Sequence, residues 1–178
     1  EYVRKSVANH LNDSSKTNPS FIISTLSDWD LNHKHTKWIA NHAMRTLIKN
    51  GNKEALALKG FDKRPEILID DIQLDKSLIT LGDSLEFNFE IKSTSFTDQA
   101  LLIDYVVHYQ KQNGNLNPRV FKLKETTLTT DKRLVIKKRH AFKNFTTRKH
   151  HGGIHVLEIM VNGISIIKKE FELNITAS

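Results

Sequence analysis

The chain has 178 residues, 38% of them hydrophobic, enough to bury the core of one large domain or two small ones. Its formal charge of +7 and pI near 9.5 favour a polyanionic partner, nucleic acid above all. No apolar run approaches the roughly 20 residues of a transmembrane helix, and no charged-then-apolar leader is read. Cysteine is absent, which removes disulfides, thiolate nucleophiles and cysteine metal sites; a cytoplasmic protein with no membrane partner is expected.

In chain order, the first helix is expected from Tyr2 to Ser15, stopping before Asn18-Pro19 because the residue ahead of proline avoids the α region. Its apolar face is read as Val3, Val7, Ala8 and Leu11. Pro19 opens a second helix that buries Phe21, Ile22, Leu26 and Trp29. A polar turn over Asp30 to His33 leads to a third helix, Lys34 to Lys49, closed by Asn50-Gly51. Asn52 can cap a short helix through Ala55 to Leu58.

These helices contain a repeat. Val7-Ala8-Asn9-His10-Leu11-Asn12-Asp13 returns 32 residues later as Ile39-Ala40-Asn41-His42-Ala43-Met44-Arg45. A spacing in the thirties suits a repeated helix pair. Lys5, Asn9, Asn12, Asp13 and Lys16 fall on one polar stripe of the first helix; Lys37, Asn41, Arg45 and Lys49 match it on the third. Two such stripes side by side make a shared basic surface, in which Asp13 is a lone carboxylate. An array needs roughly three or more units to bury its faces, so a sequence opening at Glu1 with one unit and a leading helix is expected to be a piece of a longer protein.

From Gly60 to Pro65 the period changes to two. Leu85, Phe87, Phe89 and Ile91 alternate with polar residues, and Leu157, Ile159 and Val161 alternate with Glu158, Met160 and Asn162; Leu101, Ile103, Tyr105, Val107 and Tyr109 line one side of another run. Turns are signalled at Gly82-Asp83, Asn113-Gly114 and Asn162-Gly163, the last a strong hairpin signal. Seven or more antiparallel strands in about 110 residues fit an immunoglobulin-like sandwich, without the Cys and core Trp of antibody domains. The expected fold is therefore α+β and multidomain: HEAT-like helical repeats over 1–62, then an immunoglobulin-like antiparallel β-sandwich over 63–178.

Charge is uneven. Residues 1–64 carry 11 Lys/Arg against 6 Asp/Glu, and Lys132 to His151 holds eight Lys/Arg with no acid. Within the latter, the stretch Thr146 to Gly153 is suited to a phosphate backbone: glycines admit close approach, and Arg148, Lys149 and His150 supply contacts. The nine histidines show no complete zinc-ligand spacing, so no metal is expected. No phosphate-cradling glycine loop or nucleophile elbow is present.

Tyr2 to Asp13, Thr36 to Leu47 and Glu54 to Leu58 resemble the end of a HEAT-like DNA alkylation repair glycosylase. Ile103 to Tyr109, Val120 to Lys124 and Phe145 to His150 resemble the immunoglobulin-like C-terminal domain of that family's AlkC branch. The resemblance implies a DNA-3-methyladenine-type glycosylase that cleaves the N-glycosidic bond of cationic N3-alkylated bases, 3-methyladenine and 3-methylcytosine. It implies a monomer acting on double-stranded DNA that contains alkylated bases, without cofactor or metal. Asp13 is then the catalytic candidate, steadying positive charge on the deoxyribose. Lys5, Asn9, Asn12, Lys16, Lys37, Asn41, Arg45, Lys49, Arg148, Lys149 and His150 are the DNA-binding candidates. The competing reading is a non-catalytic HEAT-plus-immunoglobulin adaptor that binds nucleic acid or an acidic protein.

Overall fold

The structure, a computed structural model, describes residues 1–61, 64–144 and 149–175. The chain divides into two compact units, Glu1–Arg64 with Asn162–Ile164, and Pro65–Val161 with Ser165–Ser178. Among the described residues no helix is long and apolar enough to cross a membrane.

The first unit contains α1 (Tyr2–Ser14), α2 (Pro19–Ser27), α3 (Lys34–Ala43), α4 (Arg45–Lys49) and α5 (Lys53–Leu58). Pro19 sits in the first turn of α2, where an N–H would have no partner in the helix anyway. Gly51 takes φ 69° after α4, and Asn52 Oδ1 accepts the Ala55 N–H at 2.9 Å to cap α5.

Two expectations fail here, for one reason. The single helix expected from Lys34 to Lys49 is interrupted at Met44 (φ −83°, ψ 0°), so α4 starts afresh at Arg45. A new helix start leaves backbone N–H groups without helical partners. The Thr46 N–H donates to Asn12 Oδ1 at 3.2 Å, and the His42 carbonyl accepts from Arg45 Nη1 at 3.1 Å. Asn12 therefore points inward, only 2% exposed, and the buried face of α1 is Ala8 and Asn12, continued by Ser15, rather than a row of valines. Val3 is 72% exposed and Val7 also lies in the open. An apolar side chain at 12 would leave the Thr46 N–H unsatisfied, which outweighs the transfer gain of one more aliphatic group. On α2, Ile22, Ile23 and Leu26 are buried and Phe21 is exposed.

Among its described residues the second unit holds nine strands: β1 (Ile67–Leu68), β2 (Gln73–Leu74), β3 (Leu78–Thr80), β4 (Ser84–Ser93), β5 (Gln99–Gln110), β6 (Leu116–Leu128), β7 (Arg133–Ala141), β8 (Gly153–Val161) and β9 (Ile164–Asn174). In one sheet β4 is flanked by β1 and β2 on one side and β7 on the other; the second sheet runs β3-β9-β8-β5-β6. Period-two alternation sends Leu85, Phe87, Phe89 and Ile91 of β4 and Leu101, Ile103, Tyr105, Val107 and Tyr109 of β5 into a shared core. β5 pairs with β6 and β8 along its two edges and is buried on both faces, Leu102, Asp104 and Val106 included. One pairing departs from the antiparallel expectation: β3 lies parallel to β9. The chain crosses from β2 in one sheet to the edge of the other, and that crossover delivers β3 in the same direction as β9. β7 is an edge strand whose Lys137, Lys138 and Arg139 are all exposed. Asn162 and Gly163, both at positive φ (50° and 74°), make the tight turn between β8 and β9.

One end of the core is polar and aromatic. The hydroxyls of Tyr105 and Tyr109 lie 2.9 and 2.7 Å from Nδ1 and Nε2 of His140. Burial pushes the Tyr105 phenol up to about 12. Fully buried His155 stacks on Phe171, its Nε2 donates to the His151 carbonyl at 3.0 Å, and its Nδ1 accepts the Gln110 N–H at 3.4 Å. With one nitrogen donating and the other accepting, the ring is neutral. Burial, reinforced by His150, holds His155 below its ordinary value, against a smaller raising effect of the bond to His151. The unfolded chain therefore binds this proton near pH 6.5 while the folded chain does not. Stability should be full above about pH 6.5 and should decline as pH falls through that value toward the folded-state pKa. Urea midpoints measured from about pH 8 to 5 check this, and a His155→Gln variant should show a shallower decline.

Candidate nucleic-acid interface

α1 and α3 pack side by side and run in the same direction. Arg4 Nη1 contacts His35 Nδ1 at one end, and Asn12 meets Thr46 just past the other. Residues about 32 apart in sequence are thus neighbours in space, and the polar rows of the two helices lie on corresponding faces.

On α1, Lys5 and Asp13 are exposed and Asn9 is half-buried, with Lys16 exposed in the turn just after the helix; on α3 and α4, Lys37 and Lys49 are exposed and Asn41 and Arg45 half-buried. Electrostatic coupling ties the rows together. Asp13 pairs with Lys16 at 2.7 Å, and its carboxyl is held below the usual range, first by that hydrogen bond and charge, then by Arg45 and His10. His42 is held low by partial burial and by the charges of Arg45 and Lys5. Lys5, His42, Arg45 and Asp13 therefore share one electrostatic neighbourhood. Lys49 stands beyond the break at Met44, on α4 rather than in continuous phase with α3.

Two expected contact residues change role. Asn12 leaves the solvent-facing row, because its amide is spent inside on Thr46. His150 is 7% exposed: its Nε2 donates to the Lys143 carbonyl at 3.1 Å and its N–H to Asn144 Oδ1 at 3.2 Å, so the ring braces the segment before β8. Lys149 is exposed beside it, and Arg148 lies outside the described residues.

One residue escaped the sequence reading. Trp38 is 43% exposed on α3, and its indole lies flat on the His42 imidazole, centroids 5.0 Å apart at 9°. It stands three residues before Asn41 and one after Lys37, on the same helix as both. That spacing was the available signal: an aromatic ring within a basic stripe suits nucleic acid, where bases and sugars stack between phosphate contacts. The surface combines cations, a flat ring and one carboxylate paired with Lys16.

Helices bearing a basic polar face, followed by an immunoglobulin-like sandwich, are the class this chain falls in. Residues 68–175 match the family described as the C-terminal Ig-like domain of the uncharacterised protein YhaZ, and the chain belongs to that family. Over 91% of its length it is 43% identical to the uncharacterized protein YhaZ of Bacillus subtilis (strain 168), covering 45% of that protein. Among solved structures it is similar to the Pseudomonas fluorescens alkylpurine DNA glycosylase AlkC bound to DNA containing an abasic site analog. The identity is 41% and the TM-score 0.95, over 97% of this chain and 48% of the other. The chain thus spans about half the length of these relatives.

The buried amide gives a direct test. Asn12→Ala should lower unfolding stability by about 1–3 kcal/mol, the cost of an unsatisfied buried N–H. Lys16→Ala, which breaks only an exposed, solvent-screened ion pair, should cost clearly less. Urea unfolding of both variants measures the contrast, and equal effects would refute the inward role of Asn12.

Proposed function

We propose that the chain is the C-terminal, DNA-gripping part of a DNA glycosylase that removes cationic N3-alkylated bases such as 3-methyladenine and 3-methylcytosine from duplex DNA. The observation that carries the reading is the likeness to AlkC over 97% of the chain, joined to a carboxylate set among cations on a helical face. In this reading α1 and α3 are successive inner helices of HEAT-like repeats, and their exposed rows follow the DNA backbone. Lys5, Lys16, Lys37 and Arg45 neutralise phosphates, Asn9 and Asn41 donate hydrogen bonds, and the Trp38 ring offers a stacking surface.

The chemistry asks little of the leaving group. Alkylation at N3 makes the base cationic, so it departs as a neutral molecule with the electron pair of the broken N-glycosidic bond. Positive charge is left growing on the deoxyribose until water adds to its anomeric carbon. A carboxylate fixed nearby steadies that charge without moving, and it must be ionised to do so. Lys16 and Arg45 keep Asp13 ionised by holding its pKa below the usual carboxylate range.

Binding should be independent of sequence and steep in salt, because phosphate contacts release counterions. Affinity for a plain duplex, measured at about 50 and 200 mM salt, should fall by an order of magnitude or more. A flat response would instead favour an adaptor whose partner is not DNA.

The Asp13→Asn change separates gripping from chemistry. In the full-length protein it should cut single-turnover excision of an N3-methylated base on the order of a hundredfold. Affinity for DNA should hold or improve, since the carboxylate repels the phosphates around it. Near-normal excision would reduce Asp13 to the surface partner of Lys16.

A further inference from the structure

The second unit contains a small cationic cavity to which no role has been given. It lies where the β5–β6 hairpin meets the segment before β8, and Gln110, Lys111, Asn117, Arg119, Lys149 and His151 line it. Its volume is about 130 Å³. That is roughly four water volumes, and well below the roughly 300 Å³ at which pockets for drug-sized ligands begin. The space suits one tetrahedral oxyanion.

The charges are arranged for the same guest. Several cations of this unit are matched by carboxylates: Lys122 with Glu125 at 2.6 Å, Lys92 with Asp70 at 2.8 Å, Lys169 with Asp71 at 2.9 Å. Among the described residues, Lys111, Arg119 and Lys149 have no carboxylate within ion-pair distance, and no acid lines the cavity. Three uncompensated cations around one hollow repel each other unless an anion joins them.

The walls are built in advance. Lys111 closes the hairpin turn, its N–H donating to the Asn115 carbonyl at 2.8 Å and its carbonyl accepting from Gly114 at 2.9 Å. Register places Asn117 opposite Tyr109 and Arg119 opposite Val107, so both project toward the inner side of the sandwich from its edge strand. Across the cavity, the His151 carbonyl is held by buried His155. Gly153, at φ +117°, has no side chain to collide with the Gln110 amide, which lies against its bare Cα. The backbone that frames the cavity is thus ordered before anything binds.

We infer that this cavity is a seat for a single phosphate group, with Arg119, Lys111 and Lys149 neutralising it and the amides of Gln110 and Asn117 within its lining. Resting on the reading proposed above, the phosphate is a backbone phosphodiester of DNA. The same chemistry would also accept free phosphate or a phosphomonoester, and the experiment separates these sources.

Two measurements on the protein and its Lys111→Gln/Arg119→Gln double variant test the inference, with melting temperatures confirming that both are folded. Duplex affinity is followed against salt, and inorganic phosphate is titrated while backbone amide shifts are recorded. The expected result is a salt slope reduced by about one in the double variant. Phosphate should shift the amides of Lys111, Asn117, Lys149 and His151 in the unaltered protein alone. An unchanged slope in a folded double variant that still binds DNA overturns the seat and leaves the glycosylase reading standing. If the unaltered protein binds no duplex at any salt, that reading falls instead. Phosphate shifts confined to these residues would then assign the cavity to a free phosphate compound, and their absence would overturn it in every form.

Discussion

Asn12 can satisfy the backbone at the start of α4 only if α1 and α3 run in the same direction with residue 12 level with residue 46. That one buried amide fixes translation and direction between two helices whose outer faces would otherwise slide past one another. The break at Met44 supplies the N–H that Asn12 accepts, and the side chain of Arg45 takes up the carbonyl released on the other side of the break. The guanidinium is thereby tied down on the face where it influences both Asp13 and His42. A point of apparent weakness in a helix is thus what registers the charged surface.

The sandwich solves a comparable problem with rings. Its polar end places His140 between two tyrosine hydroxyls and packs Phe142 edge-on against both His140 and His155. Each ring fills space as a hydrophobe would, yet carries a hydrogen-bonding edge that can hold a loop. His150 and His155 use that edge on backbone carbonyls, so the segment entering β8 is fastened from inside rather than by its own secondary structure. The cationic cavity inherits its shape from this arrangement.

Much of the architecture was legible because it rests on periodicity and on residues with narrow backbone preferences. Leu85 to Ile91 alternate into the core, Asn162-Gly163 makes its turn, Pro19 starts a helix and Asn52 caps one. What stayed hidden depends on partners far away in sequence. Nothing local says that Asn12 will face Thr46 and so turn inward, or that a helix-forming stretch will break at Met44. His150 looked like a surface contact because its neighbours are basic, whereas its carbonyl partner at Lys143 appears only once the chain folds back. The parallel β3–β9 pair was invisible for the same reason. For the candidate surface, spacing located the two rows, but Trp38 went unassigned, because its exposure and its stack on His42 follow from packing rather than from local sequence.

That parallel pair also bears on how the protein is made. Ile79 lies beside Leu173, so an edge of the second sheet is completed by residues that leave the ribosome almost a hundred positions later. The β5–β6 and β8–β9 hairpins close over short loops and can form as they emerge, whereas β3 has no partner in its sheet until β9 has been synthesised. Long-range pairing of this kind carries a large loop-closure cost and slows folding relative to local hairpins. The interval between synthesis of β3 and of β9 is when the nascent chain shows an open strand edge, and when a chaperone would have most to shield.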